Sequence, residues 1–245
     1  MNILARENLL GQFTKIDMPT WEYFLTGKTT RKPFGKGTRA EISLQLIHSK
    51  IYGPMSVRAR HGALYFITFI DDFTRYGHVY LNSHKSKTLD CFKRYINLVE
   101  NQLDKKIKTL KIDQGREYLL ERFKYLCDEK GISRQLTIPG TPQQNGVAER
   151  RNKMLLDMVR SMMTQANLLI SYWKVALLIV TYVLNQVPSK TIASTPYNLW
   201  NNRNPDLSNL RLWGPTTYIH NLSHKYGKLG LRGRKCIFIR YSEQS

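Results

Sequence analysis

Two carboxylates define the chemistry this sequence could perform. Asp113 closes the apolar stretch Ile107–Ile112 (IKTLKI), whose composition predicts a strand, and Gly115 behind it permits a tight turn. Glu149 falls in the first turn of a helix predicted from about Val147 to Ala166, directly after Pro139–Gly146 (PGTPQQNG), a loop of turn formers. Thirty-five residues separate the two acids. A strand end and a helix start can converge, and ligands of open α/β sheets gather at the carboxyl ends of strands. Such a pair suits Mg²⁺, which takes one or two carboxylates together with phosphate oxygens and water. Two ions of this kind clamp the attacking and leaving oxygens of a phosphodiester. The plainer alternative is structural, since an acid also favours a helix N-terminus. Arg150, Arg151, Lys153 and Arg160 follow on the same helix. Lys153, four residues from Glu149, shares its face: either a phosphate-holding base beside a metal-holding acid, or a surface pair worth about 0.3 kcal/mol.

The overall charge favours a polyanionic partner. Lys and Arg number 38 against 18 Asp and Glu in 245 residues, a formal charge of +20. With 42% hydrophobic and 11% aromatic residues the chain can bury a core in one or two domains. Its most apolar run, Val175–Leu184, falls short of the roughly 20 residues of a membrane span. The N-terminus lacks the apolar stretch of a signal peptide. Basic residues are spread along the chain, not gathered on one amphipathic helix, so nucleic acid is expected and a membrane is not. Cys91, Cys127 and Cys236 are too few and too scattered for a disulfide scaffold or, alone, a zinc site, which implies a reducing compartment.

The elements that would position the two acids follow from periodicity. Lys28–Arg39 is a basic, Gly- and Pro-containing stretch that reads as an arm or linker. Strands are predicted at Leu44–His48 and Ala63–Ile70, the second joined through the turn Asp71, Asp72 and Arg75 to a return strand Tyr76–Leu81. Leu89, Phe92, Tyr95, Ile96, Val99 and Leu103 have helical spacing over Ser86–Leu103. A helix at Glu117–Glu129 stops at Gly131, and a strand follows at Ile132–Ile138. Met154, Leu155, Met158, Val159 and Met162 form the apolar stripe of the helix bearing Glu149. Further helices are expected at Tyr172–Leu184 and Tyr197–Asn202, and short strands at Thr216–His220 and Lys235–Tyr241. The order β β β α β α β α describes an α/β domain with a mixed sheet.

Four segments carry a specific resemblance: Leu44–Met55 (LQLIHSKIYGPM), Tyr65–Tyr76 (YFITFIDDFTRY), Lys111–Tyr118 (KIDQGREY) and Thr141–Asn152 (TPQQNGVAERRN). They resemble the integrase region of plant copia-type long-terminal-repeat retrotransposon polyproteins, and Trp213–His220 and Lys235–Tyr241 resemble the small β domain that follows it. The resemblance implies an RNase H-like mixed five-stranded sheet flanked by helices over residues 41–205, and an SH3-like β unit over 206–245. It implies an acidic triad binding Mg²⁺ or Mn²⁺ that joins element DNA ends to target DNA, in the nucleus and as a multimer. Asp113 matches the second acid and Glu149 the third. Lys153 matches a basic position that faces DNA, with Arg150 and Arg151 beside it, and Asn145 matches the loop before the helix.

Two departures weigh against activity. The family's first acid follows His-Ser, and here His48 and Ser49 are followed by Lys50. At an effective dielectric of 20 a unit charge about 4 Å away is worth roughly 4 kcal/mol, doubled for a divalent ion. Attraction for metal becomes repulsion unless Lys50 turns away or loses its proton, and Asp71 and Asp72 already belong to the hairpin turn. Upstream, residues 1–40 correspond to a zinc-binding region, but Trp21-Glu22-Tyr23-Phe24 stands where its C-x-x-C would be, so no zinc is expected. Four outcomes stay open: an integrase by descent with impaired catalysis, a non-enzymatic DNA-binding protein, a translated relic, or an RNase H-like nuclease using only two acids.

Overall fold

Alternation along the first strand decides which face of the sheet each chemical group occupies. In the computed structural model, which describes residues 39–113, 115–137, 145–189, 191–208, 213–220 and 233–238, β1 spans Leu46–Tyr52. Ile47 and Ile51 point to one face, His48, Lys50 and Tyr52 to the other. β2 (Tyr65–Asp71) and β3 (Gly77–Asn82) continue an antiparallel meander, with Lys50 opposite Thr68. β4 (Thr109–Ile112) and β5 (Ser133–Leu136) run parallel to β1, giving the order β3-β2-β1-β4-β5. This is the expected mixed five-stranded sheet.

Helices cover both faces. On one, α1 (Thr88–Leu103) buries Phe92, Tyr95, Ile96 and Val99 against Ile47, Ile67 and Phe69. Tyr95 stacks on Phe69 with ring centroids 4.4 Å apart, a geometry worth about 1 kcal/mol beyond burial. α2 (Arg116–Leu119) and α3 (Glu121–Glu129) add Tyr118 and Phe123 to this core. On the other face, α4 (Gly146–Gln165) and α5 (Trp173–Gln186) bury Leu155, Leu156, Val159, Trp173, Ala176 and Val180 with Phe66. α6 (Pro196–Asn201) brings Trp200 to the first core. β6 (Thr216–His220) and β7 (Gly233–Ile237) pair antiparallel as the small C-terminal β unit. Among the described residues no helix is long and apolar enough to cross a membrane.

Tertiary bonds moved several boundaries. Leu44 is not in the first strand; it has φ 65° and donates its N–H to the Asp71 carboxylate at 2.8 Å. The strand instead runs on to Tyr52, so Lys50 lies within it and not at its end. Pairing with β4 stops at His48, opposite Lys111, which leaves Lys50 beyond the parallel ladder. The helix expected over Glu117–Glu129 is two helices, because Leu120 is extended at φ −61°, ψ 138° and its carbonyl accepts from Phe123 and Lys124 to start α3. Of the methionine stripe, Met158 and Met162 pack on the core, whereas Met154 is exposed. The basic stretch before Arg39, the replaced C-x-x-C, most of the PGTPQQNG loop and the end of the last predicted strand lie outside the described residues.

The two acids of the hairpin turn are structural. Asp71 accepts from the Leu44 N–H and from the N–H and hydroxyl of Thr74, each at 2.8 Å, while burial pushes its carboxyl up. Burial acts the same way on Asp72, but His48 Nε2 at 2.9 Å, the Ala40 N–H at 2.8 Å and Arg75 at 2.8 Å outweigh it and hold the carboxyl down at about 2.

A group whose folded pKa lies below its ordinary 3.8 adds stability above that value and loses it as pH falls through about 2. Asp72→Asn is therefore expected to cost about 2 kcal/mol in urea unfolding at neutral pH. The gap to the parent chain should close between about pH 5 and about pH 1, roughly one unit beyond each pKa; a gap constant with pH would refute the assignment. At Gly214, φ is 86° and an added Cβ would lie 2.3 Å from the Ala166 Cβ. Gly214→Ala should lower the melting midpoint, at a cost of about 1–3 kcal/mol.

Candidate active-site cleft

The site is assembled where the middle of β1 meets the first turns of α4. Asn145, at the N-cap position, is 1% exposed and donates from Nδ2 to the Ser49 carbonyl at 3.1 Å. In the second turn of the helix, Asn152 Oδ1 accepts from the Thr68 hydroxyl at 2.9 Å. From the opposite face of β1, Ser49 Oγ hydrogen-bonds the Tyr118 hydroxyl at 2.7 Å. β1 is thereby fixed to α4 on one side and α2 on the other.

Within this frame Lys50 Nζ lies 2.5 Å from Glu149 Oε1, with side chains 25% and 34% exposed. Lys50 does not turn away from the acids. It reaches across and takes the third acid as its ion-pair partner. Asp113 follows β4 and accepts the Gly115 N–H on Oδ1 at 3.2 Å. A Cβ at position 115 would stand 3.1 Å from Asp113 Oδ1 and 2.8 Å from Glu117 Oε2, the ends of two flexible side chains, and the backbone there has φ −56°, open to any residue, so glycine is not obligatory. Glu117 in turn pairs with Lys85 at 3.3 Å. Among the described residues Asp113 bonds neither Lys50 nor Glu149.

These residues do not fit a divalent metal pair. An ammonium occupies a carboxylate oxygen that a metal would need. Among the described residues no three His, Cys, Asp or Glu side chains gather as a metal site. Asp71 and Asp72 cannot substitute, since backbone N–H groups and His48 already occupy their oxygens.

The basic residues of α4 divide by helical phase. Lys153 is exposed on the Glu149 face. Arg150 is exposed as well. Arg151 turns the other way, donating to Asn185 Oδ1 at 3.0 Å, and its burial brings the guanidinium down to about 10. Arg151 therefore braces α4 against α5 and is not an outward phosphate contact. Asn145 is likewise an internal brace, because its Nδ2 donates to β1, while its buried Oδ1 has no partner among the described residues. Arg160 pairs with Asp157 at 2.6 Å. Lys50 and Tyr52 on β1 face Glu149, Asn152, Lys153, Leu156, Asp157 and Arg160 on α4 across a cleft of about 330 Å³. Asn152, Tyr52, Thr68 and Tyr118 were not expected from sequence; spacing would have found two of them, since Asn152 is three residues from Glu149 and Tyr52 two from Lys50.

Comparison with known proteins agrees with this architecture. Residues 41–142 match the integrase core domain family. The whole chain is 34% identical over 246 residues to the retrovirus-related Pol polyprotein from transposon TNT 1-94 of Nicotiana tabacum, of which it spans 18%. Over 89% of its length it is 28% identical to the Pol polyprotein from transposon RE1 of Arabidopsis thaliana, of which it spans 15%. Among solved structures it superposes on a chain of the simian T-cell lymphotropic virus intasome in complex with PP2A regulatory subunit B56 gamma. That match has TM-score 0.57 and 17% identity, covering 82% of this chain and 70% of the other. The HTLV-2 integrase catalytic core domain in complex with magnesium (trimeric form) gives TM-score 0.50 and 16% identity, covering 66% and 99%. These likenesses show the fold of an integrase core. The integrase core match over residues 41–142 and the 34% identity along this whole chain to one region of a plant transposon polyprotein place this chain in the integrase family of retrotransposon Pol polyproteins, with a sheet order that agrees.

Proposed function

We propose that this chain is a retrotransposon integrase core that keeps a DNA-binding scaffold and has lost transfer chemistry at a single position. The observation that carries the reading is the Lys50–Glu149 pair at 2.5 Å. Metal-dependent transesterification needs carboxylates free to hold two cations around the phosphodiester. Here the first acid is a cation and the third is neutralised by it. The remaining architecture serves DNA: a core over 41–205, a small β unit over 206–245, and a net charge of +20 that attracts phosphate without a base preference. The partners in this reading are element ends and target DNA in the nucleus, engaged by a multimer.

A strand-transfer and nicking assay in Mg²⁺ and in Mn²⁺ tests the loss of chemistry. The expected result is no product from the chain as it stands. Product that disappears with Asp113→Ala would overturn the reading. A binding readout independent of turnover accompanies it. Millimolar Mg²⁺ should leave the melting midpoint of the chain unmoved. Lys50→Asp should become Mg²⁺-sensitive, gaining about 2.7 kcal/mol at a hundredfold excess over its Kd. Duplex DNA binding should weaken steeply with salt.

A further inference from the structure

An ammonium has three N–H donors, and Lys50 commits one to Glu149. Its side chain is a quarter exposed and lines the cleft between β1 and α4. The carboxylates of that cleft are already matched, Glu149 by Lys50 and Asp157 by Arg160. Lys153, one turn from Glu149, is exposed and has no ion pair among the described residues. A second and independent observation comes from Asn152. It lines the cleft, is 2% exposed, spends Oδ1 on Thr68, and keeps a buried Nδ2 with no hydrogen-bond partner among the described residues. An unsatisfied buried donor is unfavourable, and an anionic oxygen is its natural acceptor. Tyr52 completes the β1 wall, its ring stacked on Phe66 at 5.3 Å and 37% exposed.

We propose that Lys50 has converted this cleft from a cation site into a metal-independent phosphate site, in which Lys50, Lys153 and the Asn152 amide hold one backbone phosphate of DNA. The inference rests on the DNA-binding reading above and names where and how that DNA is held. A lysine that pairs with a glutamate while contacting phosphate is an arrangement that protein kinases use on nucleotide phosphates. It explains why the pair does not silence the cleft as a binding site: Glu149 orients the ammonium, and the remaining donors face the groove. Tyr52 lies where the sugar or base next to that phosphate would pack.

Fluorescence anisotropy of a short labelled duplex with the full chain tests this, with and without EDTA. Binding should be equally tight in EDTA and in Mg²⁺ at matched ionic strength. Lys153→Gln and Lys50→Met should each weaken binding about tenfold and lower the salt slope by about one. Lys130→Gln, an exposed lysine just after α3, controls for loss of one charge and should change affinity less than twofold. Melting curves check that each variant folds. Glu149→Gln, which frees the ammonium without removing it, should bind at least as tightly as the parent and guards against a misfolded Lys50→Met. If the chain binds DNA but Lys50→Met and Lys153→Gln match Lys130→Gln, the site is refuted while the DNA-binding reading stands. Loss of binding in EDTA also refutes it. Displacement of the duplex by inorganic phosphate, beyond chloride at equal ionic strength, would assign the cleft to free anions instead of DNA. A chain that binds no DNA at low salt refutes the functional reading itself.

Discussion

The clamp between the middle of β1 and the start of α4 governs the rest of this molecule. It has three links of different physical kind. Asn145 ties the helix N-terminus to the Ser49 carbonyl, Asn152 ties its second turn to Thr68, and Lys50 reaches Glu149 as an ion pair. The two amide links depend on backbone geometry and neutral groups, so they hold whatever charge stands at position 50. The third is the only link whose chemistry a substitution at that position can alter. Behind the clamp, Phe66, Leu155, Leu156 and Val180 bury the interface between sheet and helices, a contribution insensitive to the cleft's charge.

This division explains how the fold tolerates a charge reversal at a site built for carboxylates. Two facing acids repel each other until a cation enters between them. Lysine brings that cation covalently, on a stem long enough to cross from β1 to the helix. The repulsion expected between Lys50 and a metal is real, but the same ammonium meets attraction from Glu149. With both side chains a quarter to a third exposed, solvent screens much of the pair, so its structural worth is modest. The ammonium nonetheless takes up a carboxylate oxygen of Glu149.

Much of the fold was legible because apolar runs and helical spacing report burial directly. Ala63–Ile70, Ile107–Ile112 and the stripe around Leu155 all became core elements. Boundaries failed where a single long-range bond decided them. Leu44 leaves the strand because Asp71, 27 residues on, captures its N–H. Leu120 breaks a helix whose residues have no propensity reason to stop. Sequence singled out Asp113, Glu149 and Lys50 but not the pairing of the last two, which are 99 residues apart. The inward turn of Arg151 was readable, since a residue two places from Glu149 lies on the opposite side of a helix. The burial of Asn145 was not, because nothing local shows that β1 offers it a carbonyl.

The Asp71–Asp72 turn shows why these neighbouring acids are not free to hold a metal. Metal coordination needs carboxylate oxygens free of protein donors. Asp71 spends both of its oxygens on Leu44 and Thr74, and Asp72 spends its own on Ala40, His48 and Arg75. Releasing either would leave buried N–H groups, or the Arg75 charge, without partners, at about 1–3 kcal/mol each. The acids of the adjoining hairpin turn are thus ones the fold can hardly spare. In the proposed reading, metal binding would therefore have to be restored at position 50 itself. What the chain retains without that step is a groove whose carboxylates are internally matched, with Lys153 and Arg150 still exposed on the helix beside it.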